Sequence, residues 1–240
     1  MTKLKPKFIL VTGSNGFIGK NLIKRLDELN IFQILSFVRG GSIETLEKLV
    51  FQADFIIHLA GENRPENVDK FNSVNVELTK NLCTAIKLTG RNIPLIFTSS
   101  IQASQDTDYG KSKYAAEALV EGLSKETNNT IFIYRLPGVF GKWCRPNYNS
   151  VIATFCHNIS RDLPIIINDS KAVLKVTYID DLLDHFINKI DGSDCDPIWQ
   201  KIEKVYEITI GELAKQIKAF KTCRTDLTFE RVGTGLVRAL

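Results

Sequence analysis

A chain of 240 residues can bury the core of one large domain, or of one domain with a small additional lobe. Hydrophobic residues make up 44% and charged residues 24%, ordinary globular values that exclude a mainly disordered, collagen-like or coiled-coil chain. The net charge of +4 does not indicate nucleic acid as a partner. No apolar run approaches the ~20 residues that a membrane span needs, so we expect no membrane partner.

Short apolar runs rich in β-formers alternate with segments of helical spacing in the first part of the chain. The predicted strands are Phe8–Thr12, Gln33–Val38, Asp54–Leu59, Leu95–Ser99 and Ile131–Leu136. The helical spacing between them is carried by Ile18, Leu22, Leu26 and Leu29, and then by Val76, Thr79, Leu82, Cys83 and Ile86. This alternation predicts βαβ units with right-handed crossovers, and therefore an α/β fold with a parallel sheet.

The pattern changes after Leu136. Residues 137–150, rich in Pro, Gly, Asn and Ser, are predicted to form a long loop, which is followed by a helix over about 150–159. Short strands near 165–167 and 173–178 and a helix from Asp180 come next. The capping-box pattern Thr209-x-x-Glu212 predicts a last helix through Phe220. We expect a larger domain over 1–160 and a smaller lobe over 161–240, with the two interleaved.

The cysteines and histidines form no recognisable framework. No CxxC pair is present among Cys83, Cys144, Cys156, Cys195 and Cys223, and the histidines are His58, His157 and His185. We therefore expect no disulfide framework and no metal site, and a reducing cytoplasm is the simplest location. The lysines near the N-terminus precede an apolar run that is too short for a signal peptide.

A glycine loop lies where the first predicted strand ends and the first helix begins. Gly13, Gly16 and Gly19 have the spacing GxxGxxG. Glycine allows a tight turn and lets a pyrophosphate approach the helix N-terminus without a Cβ in the way. Because strand, loop and helix agree, the segment predicts a dinucleotide site on a Rossmann-type doubly wound parallel sheet, with a plain tight turn as the alternative.

The end of the second predicted strand bears on which dinucleotide is bound. An acidic residue about 20 positions after the loop would bind the ribose 2′-hydroxyl. The strand instead ends Phe37-Val38-Arg39-Gly40, with Arg39 placed to pair with a 2′-phosphate. The pattern favours NADPH, and the alternative is a solvated arginine at a strand end.

Tyr109 and Lys113 lie four residues apart in a strong helix-forming segment, and hence on one helix face. A neighbouring ammonium favours the phenolate, so we expect Lys113 to lower the pKa of Tyr109 from about 10. Such a tyrosine can pass a proton to a substrate oxygen. Ser100, after the strand Leu95–Ser99, offers a hydroxyl for the reacting carbonyl. A chance YxxxK on a solvated helix is the alternative.

These residues together resemble the extended short-chain dehydrogenase/reductase superfamily, which includes sugar-nucleotide epimerases, dehydratases and reductases. The glycine loop is similar to its cofactor loop, and Ser100, Tyr109 and Lys113 to its catalytic residues. Further similar segments are His58–Gly61 as its fourth-strand motif, Asn75-Val76 as the start of its next helix, Arg135–Gly141 as RxxNxxG, and Tyr178–Asp181 as the late VDD motif. The resemblance implies an NADP-binding domain at 1–160 and a substrate-binding lobe at 161–240.

Three longer segments narrow the resemblance. They are His58–Glu66, Ser99–Asp106 and Gly141–Cys156. They are similar to the family of bacterial capsular polysaccharide enzymes of UDP-N-acetyl-L-fucosamine synthesis, which join a reductase domain to a C-terminal cupin. The resemblance implies a reductase of the C4 ketone of a UDP-2-acetamido-2,6-dideoxy-hexulose that uses NADPH, whereas the cupin epimerises C3 and carries a metal.

The resemblance also implies the members of two binding sites. The expected cofactor contacts are Gly13, Asn15, Gly16, Phe17, Ile18, Gly19, Arg39, Leu59, Ala60, Gly61, Tyr109, Lys113 and Leu136. The expected substrate contacts are Arg64, Gln102, Lys142, Arg145, Asn147 and Asn149. Cations, with Lys175 as a further candidate, suit the diphosphate of a UDP sugar, although each can also be merely solvated. Trp143 and Tyr148 either pack on the uracil or sugar or anchor the loop. We expect a homodimer or a higher homo-oligomer.

The chain departs from the family at two places. Gly138 replaces the usual Asn of the RxxN segment, and no cupin pattern precedes Leu240, so C3 epimerisation is not assigned to these residues. The chain is either part of a longer protein or a stand-alone reductase. One alternative function is a 4-epimerase or dehydratase with bound NAD, although Ile101 and Gln102 follow Ser100 where a dehydratase would want an acid. Another is a non-catalytic NADPH-binding protein of the same fold.

Overall fold

The computed structural model describes residues 6–65, 67, 69–192 and 198–240. The strands are β1 (Lys7–Thr12), β2 (Phe32–Phe37), β3 (Phe55–His58), β4 (Leu95–Ser100), β5 (Ile131–Leu136), β6 (Gly138–Phe140), β7 (Val173–Tyr178), β8 (Trp199–Gln200) and β9 (Tyr206–Thr209). The α-helices are α1 (Phe17–Leu29), α2 (Ile43–Gln52), α3 (Asp69–Phe71), α4 (Leu78–Thr89), α5 (Asp108–Thr127), α6 (Val151–Ser160), α7 (Ile179–Asp191), α8 (Ile210–Asp226) and α9 (Gly235–Ala239). Within the described ranges, no helix combines the length and the apolar character that a bilayer crossing requires.

The chain divides into two compact units. The first combines residues 1–136 with 183–201, and the second combines 137–182 with 202–240. This division falls earlier than the expected boundary after residue 160. The reason is that β6, directly after β5, pairs with β7 of the second unit rather than with the first sheet.

The first unit is built on a parallel sheet with the strand order β2-β1-β3-β4-β5-β8. Every residue of β3 is buried, as expected for a parallel strand covered on both faces. Leu10, Ile56 and Leu95 of the sheet pack in one core with Leu82 of α4 and Val120 of α5. The predicted α/β fold with a Rossmann-type parallel sheet is confirmed. Because β1 lies between β2 and β3, the strand order reverses at its carboxyl end, where open α/β sheets bind ligands.

The five strands predicted for this sheet are present, and their ends differ from the prediction by at most one residue. The helix expected to begin at Asn75-Val76 differs more. It begins with α3, continues as a π-helical segment, Asn72–Glu77, and becomes regular in α4. Asn75 therefore lies inside the helix, and π-helical turns often occur at functional sites. The segment His58–Gly61 follows the third strand of this chain rather than the fourth.

The second unit contains a small sheet with the order β6-β7-β9, in which β7 pairs parallel with β6 and antiparallel with β9. The predicted strand over 173–178 is confirmed as β7, and the helix over about 150–159 is α6. The capping box is present in full, since the Thr209 hydroxyl accepts from the Glu212 N–H and the Glu212 side chain accepts from the Thr209 N–H. The helix that it opens, α8, ends at Asp226 rather than at Phe220.

Two predictions for the second unit are wrong. Residues 137–150 are not a loop throughout, because Gly138–Phe140 forms β6. Residues 165–167 form no strand. Ile165 and Ile167 pack on the core of the unit while Ile166 is 83% exposed, so the apolar alternation reflects an extended segment that lies on the core without a pairing strand.

Candidate active site

The glycine loop follows β1 and packs directly against the loop that follows β3. Gly13 has φ +68°, and a Cβ there would lie 2.8 Å from the backbone nitrogen of Ala60. A Cβ at Gly19 would lie 2.4 Å from the Gly13 carbonyl oxygen. Gly16 is the N-cap of α1, whose first turn holds no acidic residue. The loop thus leaves a helix N-terminus that favours an anionic group such as a pyrophosphate.

The other expected cofactor residues of the first unit lie at the same edge of the sheet. Leu59–Gly61 follows β3, Ser100 ends β4, and Leu136 ends β5. Carboxyl ends of parallel strands meet at one edge, so the structure brings these residues to the side of the sheet that holds the glycine loop. Asn15 is exposed there, and Phe17 and Ile18 are half-buried at the start of α1.

A buried histidine fixes the loop that carries Leu59–Gly61. The Nε2 of His58 lies 3.0 Å from the Thr79 hydroxyl, which itself donates to the Asn75 carbonyl. Nε2 must therefore carry the proton, and Nδ1 accepts from the Thr12 hydroxyl at 2.6 Å. The Thr12 oxygen in turn accepts from the Ala60 N–H at 3.2 Å. Burial, with a smaller effect of Lys113, lowers the pKa of His58 to about 3, so the ring stays neutral.

Asn75 joins the same loop to the helix that carries Tyr109. Its Oδ1 accepts from the Glu62 N–H at 2.7 Å, and its Nδ2 donates to the Glu62 carbonyl at 2.9 Å. Nδ2 also donates to the Ser112 hydroxyl at 3.0 Å, and that hydroxyl donates to the Tyr109 carbonyl at 2.8 Å. Both protons and the oxygen of the buried amide are therefore used, and the loop and α5 are held as one piece.

Ser100 and Tyr109 form a hydrogen-bonded pair. Ser100 is 9% exposed at the end of β4, and its hydroxyl oxygen accepts from the Gln102 N–H at 3.1 Å. Tyr109 lies in the first turn of α5, with its ring 5.8 Å from that of Phe71. Burial raises the pKa of Tyr109, and the hydrogen bond to Ser100 opposes this effect. The two hydroxyls are thus positioned together at the carboxyl edge of the sheet.

Lys113 is buried one turn further along α5, and it does not act on Tyr109 as expected. The expectation that Lys113 lowers the pKa of Tyr109 is wrong for this structure, since burial dominates and raises it. The Lys113 ammonium donates to the Thr98 carbonyl at 2.7 Å and lies 4.8 Å from the centre of the Phe97 ring. Burial lowers the pKa of Lys113 to about 8, against a smaller opposing effect of Glu117. A Cβ on Gly61 would lie 3.8 Å from Nζ, so the ammonium lies beside the loop that follows β3.

Arg39 follows β2 and forms an ion pair. Its Nη2 donates to Oε2 of Glu62 at 2.7 Å. The side chain of Arg39 is 78% exposed, whereas that of Glu62 is 8% exposed. The other carboxylate oxygen of Glu62 accepts from the N–H groups of Asn63 and Arg64. Arg39, the residue predicted to bind a 2′-phosphate, is therefore held by Glu62 on the loop after β3.

Arg135 of the RxxN segment lies in the first unit and has a structural partner. Its Nε and Nη2 donate to the two carboxylate oxygens of Glu117 at 2.9 and 2.7 Å. Its guanidinium lies 4.9 Å from the centre of the Trp199 ring. This bidentate pair ties β5 to α5 two turns after Tyr109. Gly138, at the Asn position of the segment, lies in the second unit, where a Cβ would meet only ordinary contacts at 3.4 Å.

The expected substrate residues fall in both units. Arg64 and Gln102 are exposed in the first unit. Lys142, Arg145, Asn147 and Asn149 are exposed in the segment between β6 and α6 of the second unit. Lys142 lies over Trp143 and Arg145 over Tyr148, with cation-to-ring distances of 5.6 and 5.2 Å. Lys175 is in an exposed ion pair with Glu207 at 2.9 Å.

A cavity of about 380 Å³ lies within the second unit. Its lining includes Lys142 and Cys144 from the segment after β6, His157 from α6, and Tyr178 from β7. Arg145, Asn147 and Asn149 are not among the lining residues, so one of the four expected substrate residues of this unit opens into the cavity. In the described part of the chain, no three His, Cys, Asp or Glu side chains are grouped to hold a metal ion.

Three residues of this site carry no functional signal of their own in the sequence. Glu62 stands within a motif, Asn75 at the expected start of a helix, and Thr12 at the end of a predicted strand. Each acts through hydrogen bonds to groups distant in sequence, and no local spacing signals these. The position of Asn75 and Glu62 beside recognised motifs was the one available signal.

A parallel sheet with a glycine loop after its first strand, a serine at the end of its fourth strand, and a tyrosine and a lysine on the helix that follows defines the class of dinucleotide-dependent short-chain dehydrogenases/reductases. The chain belongs to the NAD dependent epimerase/dehydratase family, whose sequence profile matches residues 9–192. The family resemblance is thereby confirmed, and members of this family use NAD or NADP.

Individual relatives are informative as well. The chain is 49% identical over 232 residues to UDP-2-acetamido-2,6-beta-L-arabino-hexul-4-ose reductase of Pseudomonas aeruginosa, an alignment covering 97% of this chain and 62% of that protein. It is 26% identical to dTDP-4-dehydro-6-deoxyglucose reductase of Escherichia coli, over 93% of this chain and 83% of that one. The crystal structure of the capsular polysaccharide assembling protein CapF from Staphylococcus aureus superposes with a TM-score of 0.86 at 37% identity, covering 96% and 63%. The chain thus spans less than two thirds of the length of the first and third proteins.

Proposed function

We propose that the chain is an NADPH-dependent reductase that converts the C4 ketone of a UDP-2-acetamido-2,6-dideoxy-hexulose into an alcohol, for the synthesis of a surface polysaccharide precursor. The observation that carries the proposal is the 49% identity to a protein named as a reductase of such a hexul-4-ose. The placement of Ser100, Tyr109 and Lys113 beside the glycine loop in one compact unit supports it. The proposal concerns the reduction alone.

Tyr109 is the proton donor of the proposed reaction. Because burial raises its pKa, the phenol is protonated at neutral pH and can give its proton to the oxygen of a ketone. Ser100, whose oxygen accepts from the Gln102 N–H, would donate its hydroxyl proton to the same ketone oxygen once substrate is bound, in place of its bond to Tyr109. When bound, a reduced nicotinamide would supply the hydride to C4. The residues of this chain would then orient the carbonyl and deliver the proton.

Lys113 acts on the cofactor side of the site. With a pKa of about 8, it is mainly protonated at neutral pH, and the Thr98 carbonyl holds it in place. Its position beside Gly61 supports a contact to the nicotinamide ribose of the bound cofactor.

The residues present fit a dinucleotide. A side chain at Gly13 would collide with Ala60, so the loop requires glycine there, and this is the geometry that lets a pyrophosphate approach the backbone. The cofactor contacts that we propose here are Gly13, Asn15, Gly16, Phe17, Ile18, Gly19, Arg39, Leu59, Ala60, Gly61, Tyr109, Lys113 and Leu136. The preference for NADPH rests on Arg39 and on the lack of an acid at the end of β2.

Substitution of Arg39 tests the cofactor preference. A charge-assisted contact is worth about 1.5–3 kcal/mol, so Arg39→Ala should weaken NADPH binding roughly ten- to hundredfold and leave NADH nearly unchanged. The matched control is Arg25→Ala, which removes an exposed arginine of α1 that pairs with Asp184. Equal losses for both cofactors, or no loss, would remove Arg39 from the cofactor site.

The substrate contacts are proposed to come from Arg64, Gln102, Lys142, Arg145, Asn147 and Asn149. Arg145→Ala should raise the KM for the UDP sugar and leave NADPH binding unchanged, because a cation that pairs with the diphosphate acts on the substrate only. An unchanged KM would take Arg145 out of the proposed substrate site.

The reaction itself is tested with purified protein, NADPH and the UDP-linked 4-keto sugar. We expect stoichiometric loss of NADPH absorbance and, by NMR, a new carbinol proton at C4 of the sugar. In a separate incubation of the 4-hydroxy UDP sugar with NAD, interconversion of its C4 epimers without net change in the cofactor would instead identify an epimerase. NADPH binding with no turnover of the keto sugar would favour the non-catalytic alternative.

A further inference from the structure

The backbone at Arg39 is fixed by a tight turn. The Gly41 N–H donates to the Val38 carbonyl at 3.1 Å, and Gly40 has φ +86°. These values describe a four-residue turn with a left-handed residue at its third position, which is a glycine position in type II turns. The turn places Arg39 at its second position. The direction in which the Arg39 side chain leaves β2 is therefore set by the backbone.

The backbone at Glu62 is fixed as well, by a different element. Asn75 binds both the N–H and the carbonyl of Glu62, at 2.7 and 2.9 Å. The carboxylate, 8% exposed, lies against the N–H groups of Asn63 and Arg64 and the guanidinium of Arg39. Glu62 is thus a buried acid that pairs with the cation of Arg39, and the bonds from Asn75 hold its backbone in place.

The Arg39–Glu62 ion pair crosses the carboxyl end of β1. Arg39 follows β2 and Glu62 follows β3, and β1 lies between these strands. Neighbouring strands are spaced by about 4.8 Å, so the two loops start about 10 Å apart and their side chains meet over the glycine loop. Gly13 contacts both the end of β2 and the loop after β3. Its N–H donates to the Phe37 carbonyl at 3.0 Å, and its α-carbon faces Ala60.

We propose that Glu62 is a positioning residue, which holds the Arg39 guanidinium over the glycine loop so that it meets the 2′-phosphate of the dinucleotide. This inference rests on the proposed NADPH preference. An unheld arginine has many rotamers, and binding must immobilise it, which weakens association. The guanidinium has five N–H donors, so the bond to Glu62 leaves others for a phosphate. The buried carboxylate also accepts hydrogen bonds from the N–H groups of Asn63 and Arg64.

The test uses two probes that contain only the adenosine end of the cofactor, adenosine 2′,5′-bisphosphate and adenosine 5′-monophosphate. Their affinities are measured by titration calorimetry on the full chain. Removing an arginine's tether should weaken the bisphosphate about three- to tenfold, the range expected for ordering one long side chain. We therefore expect Glu62→Ala to show that loss for the bisphosphate, and less than about a twofold change for the monophosphate.

Three further variants separate positioning from folding. Glu62→Gln keeps the shape and the acceptor for the two N–H groups, so it should fall between wild type and Glu62→Ala. In an Arg39→Ala background, Glu62→Ala should have no additional effect on the bisphosphate, because the residue acts through Arg39. Asp54→Asn is the matched control, an acid paired with Arg91 at the opposite end of β3, and it should change neither affinity. With the keto sugar, Glu62→Gln should raise the KM for NADPH by a larger factor than it lowers kcat at saturating NADPH.

Tighter bisphosphate binding by Glu62→Ala would overturn the proposal, since Glu62 would then repel the phosphate. Equal losses for both probes would also overturn it, because Glu62 would then merely shape the loop. If Glu62→Ala does not fold, as judged by thermal unfolding, the same criteria apply to Glu62→Gln. An unchanged bisphosphate affinity in Arg39→Ala would refute the NADPH preference itself. Loss in Arg39→Ala without loss in either Glu62 variant would refute only the positioning role.

Discussion

The side-chain amide of Asn75 lies 3.0 Å from the hydroxyl of Ser112, and this contact joins the loop after β3 to the helix that carries Tyr109 and Lys113. The same amide saturates both backbone groups of Glu62. A single side chain in a π-helical segment therefore connects the proposed 2′-phosphate end of the cofactor site to the proton-donor helix. Removing the Asn75 side chain should therefore lower both the stability and the activity of the protein.

Asn75→Ala should destabilise the protein by about 1–3 kcal/mol, the cost of leaving a buried N–H and carbonyl without partners. Urea unfolding measures this change. The control is Asn72→Ala, which alters an exposed asparagine of the same π-helical segment and should cost less than about 0.5 kcal/mol. Equal stability of the two variants would show that the Asn75 hydrogen bonds do not hold the loop.

Adding a methyl group should lower the stability of the protein at Gly13 but not at Gly138. At Gly13, φ is +68° and a Cβ would lie 2.8 Å from a backbone nitrogen, so Gly13→Ala should destabilise the protein by more than about 1 kcal/mol and abolish dinucleotide binding. At Gly138 the nearest atoms are at 3.4 Å, so Gly138→Ala and Gly138→Asn should fold normally. Thermal unfolding and NADPH titration measure both effects. Intact NADPH binding in Gly13→Ala would contradict the assigned cofactor loop.

The strands and the glycine loop were predictable from the sequence because their signals are local: buried apolar runs and a fixed glycine spacing. The gathering of Ser100, Tyr109 and Lys113 also followed, since a strand end and one helix face were enough to place them. The direction of the Tyr109 pKa was not predictable, because it depends on how deeply the ring is buried. The expected homodimer or higher homo-oligomer stays a prediction.

Other features were missed because they depend on distant partners. The π-helical segment puts Asn75 opposite Glu62, and only the fold brings these two residues together. The apolar pattern of residues 165–167 predicts a strand, but no strand in the described part of the chain pairs with them. Their alternation instead reflects packing of Ile165 and Ile167 on the core of the second unit. The ion pair of Lys175 with Glu207 is likewise not signalled by the sequence, and the role of Lys175 as a diphosphate contact stays a prediction.

His58 makes stability depend on pH in the acidic range. Burial sets the pKa of its ring at about 3 in the folded protein against 6.5 unperturbed, so the unfolded chain binds a proton between these values and the folded chain does not. Stability from this group is therefore complete above about pH 6.5 and is lost as the pH falls toward 3, by a few kcal/mol at most.

His58→Asn should remove that part of the pH dependence, because asparagine does not titrate. Urea unfolding at a series of pH values gives the difference between the two proteins, in which the common carboxylate contributions cancel. His157→Gln, in α6 of the second unit, serves as the control and should retain the wild-type slope. An identical slope for wild type and His58→Asn would show that the His58 ring is not held neutral.

The central claim is that Tyr109 delivers a proton to the C4 oxygen of a keto-sugar nucleotide. Tyr109→Phe keeps the ring against Phe71 and removes the hydroxyl that bonds Ser100, while Tyr114→Phe alters a 61% exposed tyrosine of the same helix. Loss of a general acid typically costs about 10²–10⁴-fold in rate. The decisive measurement is kcat for NADPH-dependent reduction of the UDP-linked 4-keto sugar by the two variants, with NADPH affinity measured alongside. We expect a loss of that size for Tyr109→Phe with NADPH still bound, and wild-type turnover for Tyr114→Phe. Full turnover by Tyr109→Phe would contradict it.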